Sequence, residues 1–165
     1  MKEFGTKREN EERRDGGCGV VFDPKTQKYA VGKKTEGGLF ILFSGGVNAN
    51  ENIQDGVLRE VTEESGLHDF QHVEKIDEAI CHFRNNAKNV NRVAQATCFL
   101  FILKSVNVIP TKLEEHEKFT LAWATPKEIL ENWETRNQNK DFDHWIYFLG
   151  QAVKRAKELG YDKSK

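Results

Sequence analysis

The alternation of apolar and polar positions divides the chain into short strand-like runs and three helical stretches. Cys18–Phe22 (CGVVF) predicts a strand, Asp23-Pro24 a turn, and Tyr29–Val31 a returning strand, together a hairpin. Leu39–Phe43 (LFILF) is a continuous apolar run of the kind buried on both faces. Val73–Phe83 and Gln95–Leu103 predict two longer strands joined by a polar, Asn-rich loop, Arg84–Arg92. After an acidic loop, Thr111–Lys118, a further strand is expected over Leu121–Ala124. The first helix is predicted over Ile53–Ser65, with Asn52 as N-cap and Gly66-Leu67 as a Schellman-type stop. Pro126–Asn132 is a short helix with Pro in its first turn. A last helix spans about Asp143–Leu159, its Trp145, Ile146, Leu149, Val153 and Ala156 forming one apolar face that reads as core packing. Strands interleaved with helices give an α/β (α+β) sandwich.

Composition narrows the class. A chain of 165 residues suits one domain with a core that needs no disulfide or metal staple. Lys and Arg number 25 against 26 Asp and Glu, a balance that gives no strong nucleic-acid signal. No apolar stretch is long enough to span a membrane, and the N-terminus lacks a signal-peptide core, so a cytoplasmic protein is expected. Cys18, Cys81 and Cys98 make no CxxC spacing; Cys18 and Cys98 read as small buried hydrophobes. Residues 1–16, dense in charge of both signs, are expected to form a solvated, flexible arm or at most a frayed helix. The domain proper is then 17–160, with a tail over 161–165.

The first helix breaks ordinary rules of charge placement. At about 100° per residue, Glu60, Glu63 and Glu64 share one face, while Val57, Leu58 and Val61 turn to the core. Like charges at these spacings cost roughly 0.2–0.5 kcal/mol each, and they crowd the helix end that prefers cations. A solvated acidic face is the ordinary reading of such a cluster. A hard divalent cation, Mg²⁺ or Mn²⁺, would remove both penalties, since it takes oxygen ligands, and it is the better account.

The run Gly45-x5-Glu51-x7-Arg59-Glu60-Val61-x-Glu63-Glu64-x-Gly66-Leu67 resembles the complete Nudix box, and the surrounding order of elements is similar to that family from Gly17 to Leu159. The resemblance implies a Nudix-type mixed β-sheet packed between helices, and metal-dependent hydrolysis of a nucleoside diphosphate linked to another group. By position, Glu60, Glu63 and Glu64 would hold Mg²⁺ or Mn²⁺, with a backbone carbonyl from Gly45. Glu51 and Arg59 would form an orienting ion pair. The general base would come from the box itself or from a later loop, where Glu114, Glu115 and Glu117 surround His116. Outside the specified positions the chain departs from common usage, with Phe43, Ser44, Asn48, Asn50 and Gly56.

Substrate features are thinner. Lys33 with Lys34, Phe83-Arg84, Lys88 and Arg92 are candidate phosphate or base contacts, and surface solvation explains them equally well. The expected partner is a small nucleotide: a nucleoside triphosphate, ADP-ribose, a dinucleoside polyphosphate or similar. Two alternatives stand beside this reading, a non-catalytic nucleotide-binding module and a hydrolase of RNA 5′ ends. The oligomeric state is open, a homodimer included.

Overall fold

The computed structural model describes residues 1–137 and 140–165. Its strands are β1 (Lys2–Phe4), β2 (Glu12–Arg13), β3 (Gly16–Asp23), β4 (Lys28–Lys34), β5 (Phe40–Ile41), β6 (Phe43–Gly46), β7 (Phe70–Asn85), β8 (Val90–Leu103) and β9 (Phe119–Ala124). Helices are α1 (Ile53–Ser65), α2 (Pro126–Glu134) and α3 (Asp143–Glu158). Among the described residues the strands form one mixed sheet, ordered β1-β7-β8-β3-β4-β5, with β2 beside β8, β6 beside β3 and β9 beside β4. The β1–β7, β2–β8 and β3–β8 pairs are parallel and the others antiparallel.

Helices cover both faces, so the α+β sandwich holds. Strand alternation sends Cys18, Val20 and Phe22 of β3 to the side of α2 and α3, where Ile129, Trp133, Phe148, Leu149 and Ala152 meet them. Val21 of the same strand faces the α1 side, with Val57, Val61, Phe99 and Phe101. Two glycines let α1 lie close. A Cβ on Gly17 would fall 2.7 Å from Val57 Cγ2 and 2.4 Å from the Thr97 carbonyl oxygen, and one on Gly19 would fall 2.6 Å from Val61 Cγ2.

Several expectations are corrected. Leu39–Phe43 is not one strand: it divides into β5 and β6 around Leu42, and Leu39, Phe40 and Ile41 are only half-buried. The Arg84–Arg92 loop shrinks to a tight turn, because β7 and β8 pair out to Asn85↔Val90. Asn89, with φ 53°, supplies the left-handed residue that this turn needs. On α3 the buried face is centred on His144, Phe148, Ala152 and Ala156, and Trp145, Ile146 and Val153 flank it. All three cysteines are buried and free.

The two ends of the chain also depart from the sequence reading. Residues 1–16 are neither a solvated arm nor a frayed helix, because β1 and β2 extend the sheet and side chains fasten the segment between them. His82 of β7, only 4% exposed, places Nδ1 2.8 Å from Glu11 and Nε2 2.6 Å from Glu3. A ring that donates from both nitrogens is an imidazolium. Burial opposes that charge, and the two carboxylates outweigh it, so the His82 pKa is raised. Arg8 donates two bonds to Asp141, and Arg92 binds Glu12 at 2.9 Å. At the other end, residues 161–165 are not a free tail: buried Asp162 accepts from the Tyr29 hydroxyl at 2.7 Å, and the Lys163 amide donates to Gln27.

Two outcomes follow from these contacts. The Glu11 pKa is lowered, with burial opposing the shift and His82 driving it. Stability from the raised His82 is therefore complete below its ordinary value of 6.5 and lost as pH rises through the higher folded value. Stability from Glu11 is present above its ordinary 4.5 and lost as pH falls through the lower folded value. Thermal melts from pH 4 to 9 should show His82→Leu costing on the order of 2 kcal/mol near pH 5.5 and much less at pH 9. Gly17→Ala should cost about 1–3 kcal/mol in denaturant unfolding, since its new methyl meets a backbone oxygen that cannot swing away.

Candidate active site

Helix α1 is fixed at both ends. The Asn52 side chain accepts from the Asp55 amide at 2.8 Å, as its N-cap position predicts. At the other end Gly66 adopts φ 80° and donates to the Thr62 carbonyl, the simple αL stop in place of the expected Schellman form, while the Leu67 amide turns to the Ser65 hydroxyl. Two further carbonyls at this end are met from a distant segment. The Lys112 amide donates to Glu63 at 2.7 Å and the Ile109 amide to Gly66 at 2.9 Å. The loop after β8 therefore completes the helix C-terminus and then brings Glu117 to its acidic face.

Arg59 organises the carboxylates. Its Nε and Nη2 form a fork on Glu51 at 2.8 and 3.1 Å, and its Nη1 donates to Glu60 at 2.9 Å and Glu63 at 3.2 Å. Nη2 also reaches the Gly46 carbonyl at 3.4 Å. The Arg59 fork, with the Asn48 amide, holds the Glu51 carboxyl below its usual range. Glu51 first, and then Glu60, raise the Arg59 pKa against its partial burial.

The glycines and asparagines of the box loop have visible reasons. A Cβ on Gly45 would lie 2.4 Å from the Glu60 carboxyl, so the bare backbone lets Glu60 rest against the loop. A Cβ on Gly56 would come 3.0 Å from Glu51 Oε1, so the missing methyl gives Glu51 its space against the helix. Asn50 takes φ 65°, a left-handed conformation that asparagine tolerates.

Glu64 is the most hidden acid of the group, 5% exposed, and its Oε1 accepts from the Ser44 amide at 2.9 Å. Burial first, and then Glu117 close against it, push its pKa up to about 10, against the pull of that amide. Glu60 is also raised, chiefly by burial, with Glu63 and Glu117 adding to it and Arg59 opposing. Glu51, Glu60, Glu63, Glu64 and Glu117 thus share a site with one guanidinium, and the burial and crowding that raise Glu60 and Glu64 are what a bound cation would oppose.

Among the described residues no three His, Cys, Asp or Glu side chains are gathered closely enough to hold a metal ion as they stand. The donor set still suits a hard divalent cation: only oxygens, several anionic, with Arg59 taking a single oxygen from each of Glu60 and Glu63.

Of the loop acids, Glu117 is the one drawn to Glu64. The Glu114 amide donates to Glu117 Oε1 at 2.9 Å, and the Glu117 amide to the Glu114 carbonyl, a turn that sets Glu117 inward. Glu115 instead lines an open groove of about 480 Å³ with Lys34, Thr35, Glu36, His116 and Lys118. His116 pairs with Glu114 at 3.5 Å.

The structure does not join Lys33, Arg84, Lys88 or Arg92 to the carboxylates. Arg84 bonds Asn89 and Asn91, Arg92 is spent on Glu12, Lys88 sits exposed in the hairpin turn, and Lys33 lies over the Gly38 turn. Two contacts escaped the sequence reading, the Ser44 amide on Glu64 and Arg14 against Gly46. The second had no local signal, because it depends on pairing between segments far apart in sequence.

Comparison with known proteins agrees with the fold. The fold is similar to the NUDIX domain of Shewanella oneidensis NrtR, solved with ADP ribose, at 15% identity over 90% of each chain and a TM-score of 0.61. It is similar to the MutT protein of Methanosarcina mazei, at 16% identity over 91% of this chain and 99% of that one, TM-score 0.57. The E. coli ORF135 protein matches at 16% identity over 93% and 97%, TM-score 0.54. No curated protein matches the sequence. The NUDIX domain model matches residues 12–146, a span that takes in the carboxylate helix, its glycine loop and the Glu117 segment, and the chain belongs to the NUDIX family.

Proposed function

We propose that this chain is a pyrophosphohydrolase that uses Mg²⁺ or Mn²⁺ to cleave a diphosphate linkage in a nucleoside diphosphate derivative. The observation that carries the reading is the convergence of Glu60, Glu63 and Glu64 on one helix face with Glu117 set against Glu64. Glu60, Glu63 and Glu64, with the Gly45 carbonyl, would hold the ion, which when bound neutralises the diphosphate and acidifies a water.

The chain's own groups do the rest. Arg59 and Glu51 lock the box loop to α1, so that the acids keep one orientation. Water attacks one phosphorus, the bridging P–O bond breaks, and the water's proton passes to a carboxylate at the site. Glu117 takes that role, because its turn aims it inward while Glu114 and Glu115 face solvent. The substrate of this reading has a nucleoside on one side of the diphosphate and a second group on the other. The ADP ribose bound by the Shewanella domain is of that class.

Chromatographic assays for the nucleotide and phosphate-ester products, with Mg²⁺ and across nucleoside triphosphates, ADP-ribose and dinucleoside polyphosphates, test the reading. Glu64→Gln is expected to lower turnover at least about a hundredfold while circular dichroism and melting stay those of a folded protein. Wild-type turnover in that variant would overturn the assignment. Glu117→Gln should lower kcat by about 10²–10⁴, the range for losing a general base, with Glu114→Gln and Glu115→Gln staying within about threefold. Equal losses in all three would remove Glu117 from the base role.

A further inference from the structure

The acidic site needs a partner for the negative charge of its substrate, and Arg59 is not free to provide it. Its fork is occupied by Glu51, and its remaining donor by Glu60 and Glu63. A second guanidinium touches the same loop. A Cβ built on Gly46 would fall 2.2 Å from Arg14 Nε and 2.7 Å from Nη2, so the Arg14 side chain lies in the space that a side chain on Gly46 would fill. Gly46 is also the residue whose carbonyl accepts from Arg59. Along β6, Gly45 meets Glu60 on the α1 side and Gly46 meets Arg14 on the opposite side. The rim of the loop thus has a carboxylate face and a guanidinium face one residue apart.

Arg14 differs from the charged residues around it. Among the described residues no carboxylate pairs with its guanidinium, whereas Arg13 is paired with Asp15, Arg92 with Glu12 and Arg8 with Asp141. Its backbone is nonetheless fixed. The Arg14 amide donates to the Val93 carbonyl at 3.0 Å, and the next residue braces both neighbours, with Asp15 accepting from the Gln95 amide at 2.9 Å and from the Val47 amide at 3.4 Å. An exposed, unpaired guanidinium held on a rigid backbone beside an anhydride-cleaving site has the planar donor set that a phosphate oxygen pair takes.

We propose that Arg14 is a substrate-positioning residue, binding the phosphate of the nucleoside diphosphate that lies on the far side of the Gly45–Gly46 loop from the carboxylates. The substrate class rests on the hydrolase reading, and the placement of Arg14 does not. On this account the segment before β3 is part of the active site. The clamp of His82 on Glu3 and Glu11 holds that segment on the sheet and so holds the guanidinium at the rim.

The test is calorimetric binding of α,β-methylene-ADP with Mg²⁺, run beside steady-state hydrolysis of ADP-ribose. Arg14→Ala should raise the Kd for the analogue and the KM for ADP-ribose at least about tenfold, with kcat within about threefold. Arg14→Lys should recover part of the affinity, since it keeps the charge and loses the fork. Arg13→Ala removes the same net charge one residue away and should stay within about twofold, with all melting temperatures close to wild type. Wild-type binding in Arg14→Ala would overturn the proposal, as would an equal loss in Arg13→Ala or no binding of the analogue by the wild-type protein. Analogue binding that depends on Arg14, in a protein that hydrolyses none of the nucleoside triphosphates, ADP-ribose and dinucleoside polyphosphates, would uphold Arg14 and overturn the hydrolase reading instead.

Discussion

One guanidinium makes the acidic face of α1 tolerable. Arg59 bonds Glu51, Glu60 and Glu63 at once and reaches the Gly46 carbonyl, so it sits where helix, box loop and sheet meet. Without it, three acids within a turn of one another would face a helix end already rich in carbonyl oxygen. With it, the loop cannot drift from the helix without breaking a bidentate ion pair. The rest of the site inherits that rigidity: Gly45 presses on Glu60, Gly56 makes space for Glu51, and the Ser44 amide holds Glu64.

Much of this was legible in the sequence, for a physical reason. Helix α1 occupies Ile53–Ser65 as predicted, because its start signal, its stop and its apolar period all lie within a few residues of one another. The Glu51–Arg59 pair, which the resemblance of the box implied, is present at 2.8 Å. What lay hidden depends on partners far along the chain. The charges of residues 2–15 look like a solvated arm in isolation, and they order because His82, Asp141 and Arg92 wait for them on other elements. Asp162 likewise has no local cue, since its partner is Tyr29, and choosing Glu117 over its neighbours required the turn that Glu114 closes. The break within LFILF was missed because composition does not reveal that β5 pairs with β4 while β6 crosses to β3.

The loop after β8 ties two roles into one unit. Its amides at Ile109 and Lys112 complete the C-terminus of α1, and a few residues later it delivers Glu117 to Glu64. A displacement large enough to withdraw Glu117 would strain the hydrogen bond that Lys112 gives to Glu63, the middle acid of the face. Helix and loop are therefore expected to hold or loosen together.

The sheet ends, on the β7 side, in a strand of 16 residues with a much shorter neighbour. Strand β1 pairs only with Ala79–Cys81, and an open ladder of that length is a template on which another chain can add a strand. Two register shifts in β7, at Phe70/His72 and Lys75/Asp77, interrupt the regular ladder on one side of β1. Lys75, Glu78 and Glu74 line the same stretch with charge. The N-terminal segment is thus a guard against edge-to-edge association as well as a neighbour of the box loop. Shortened versions that begin after Phe4 would leave the centre of this edge bare, and their solubility would rest on bulges and charges alone.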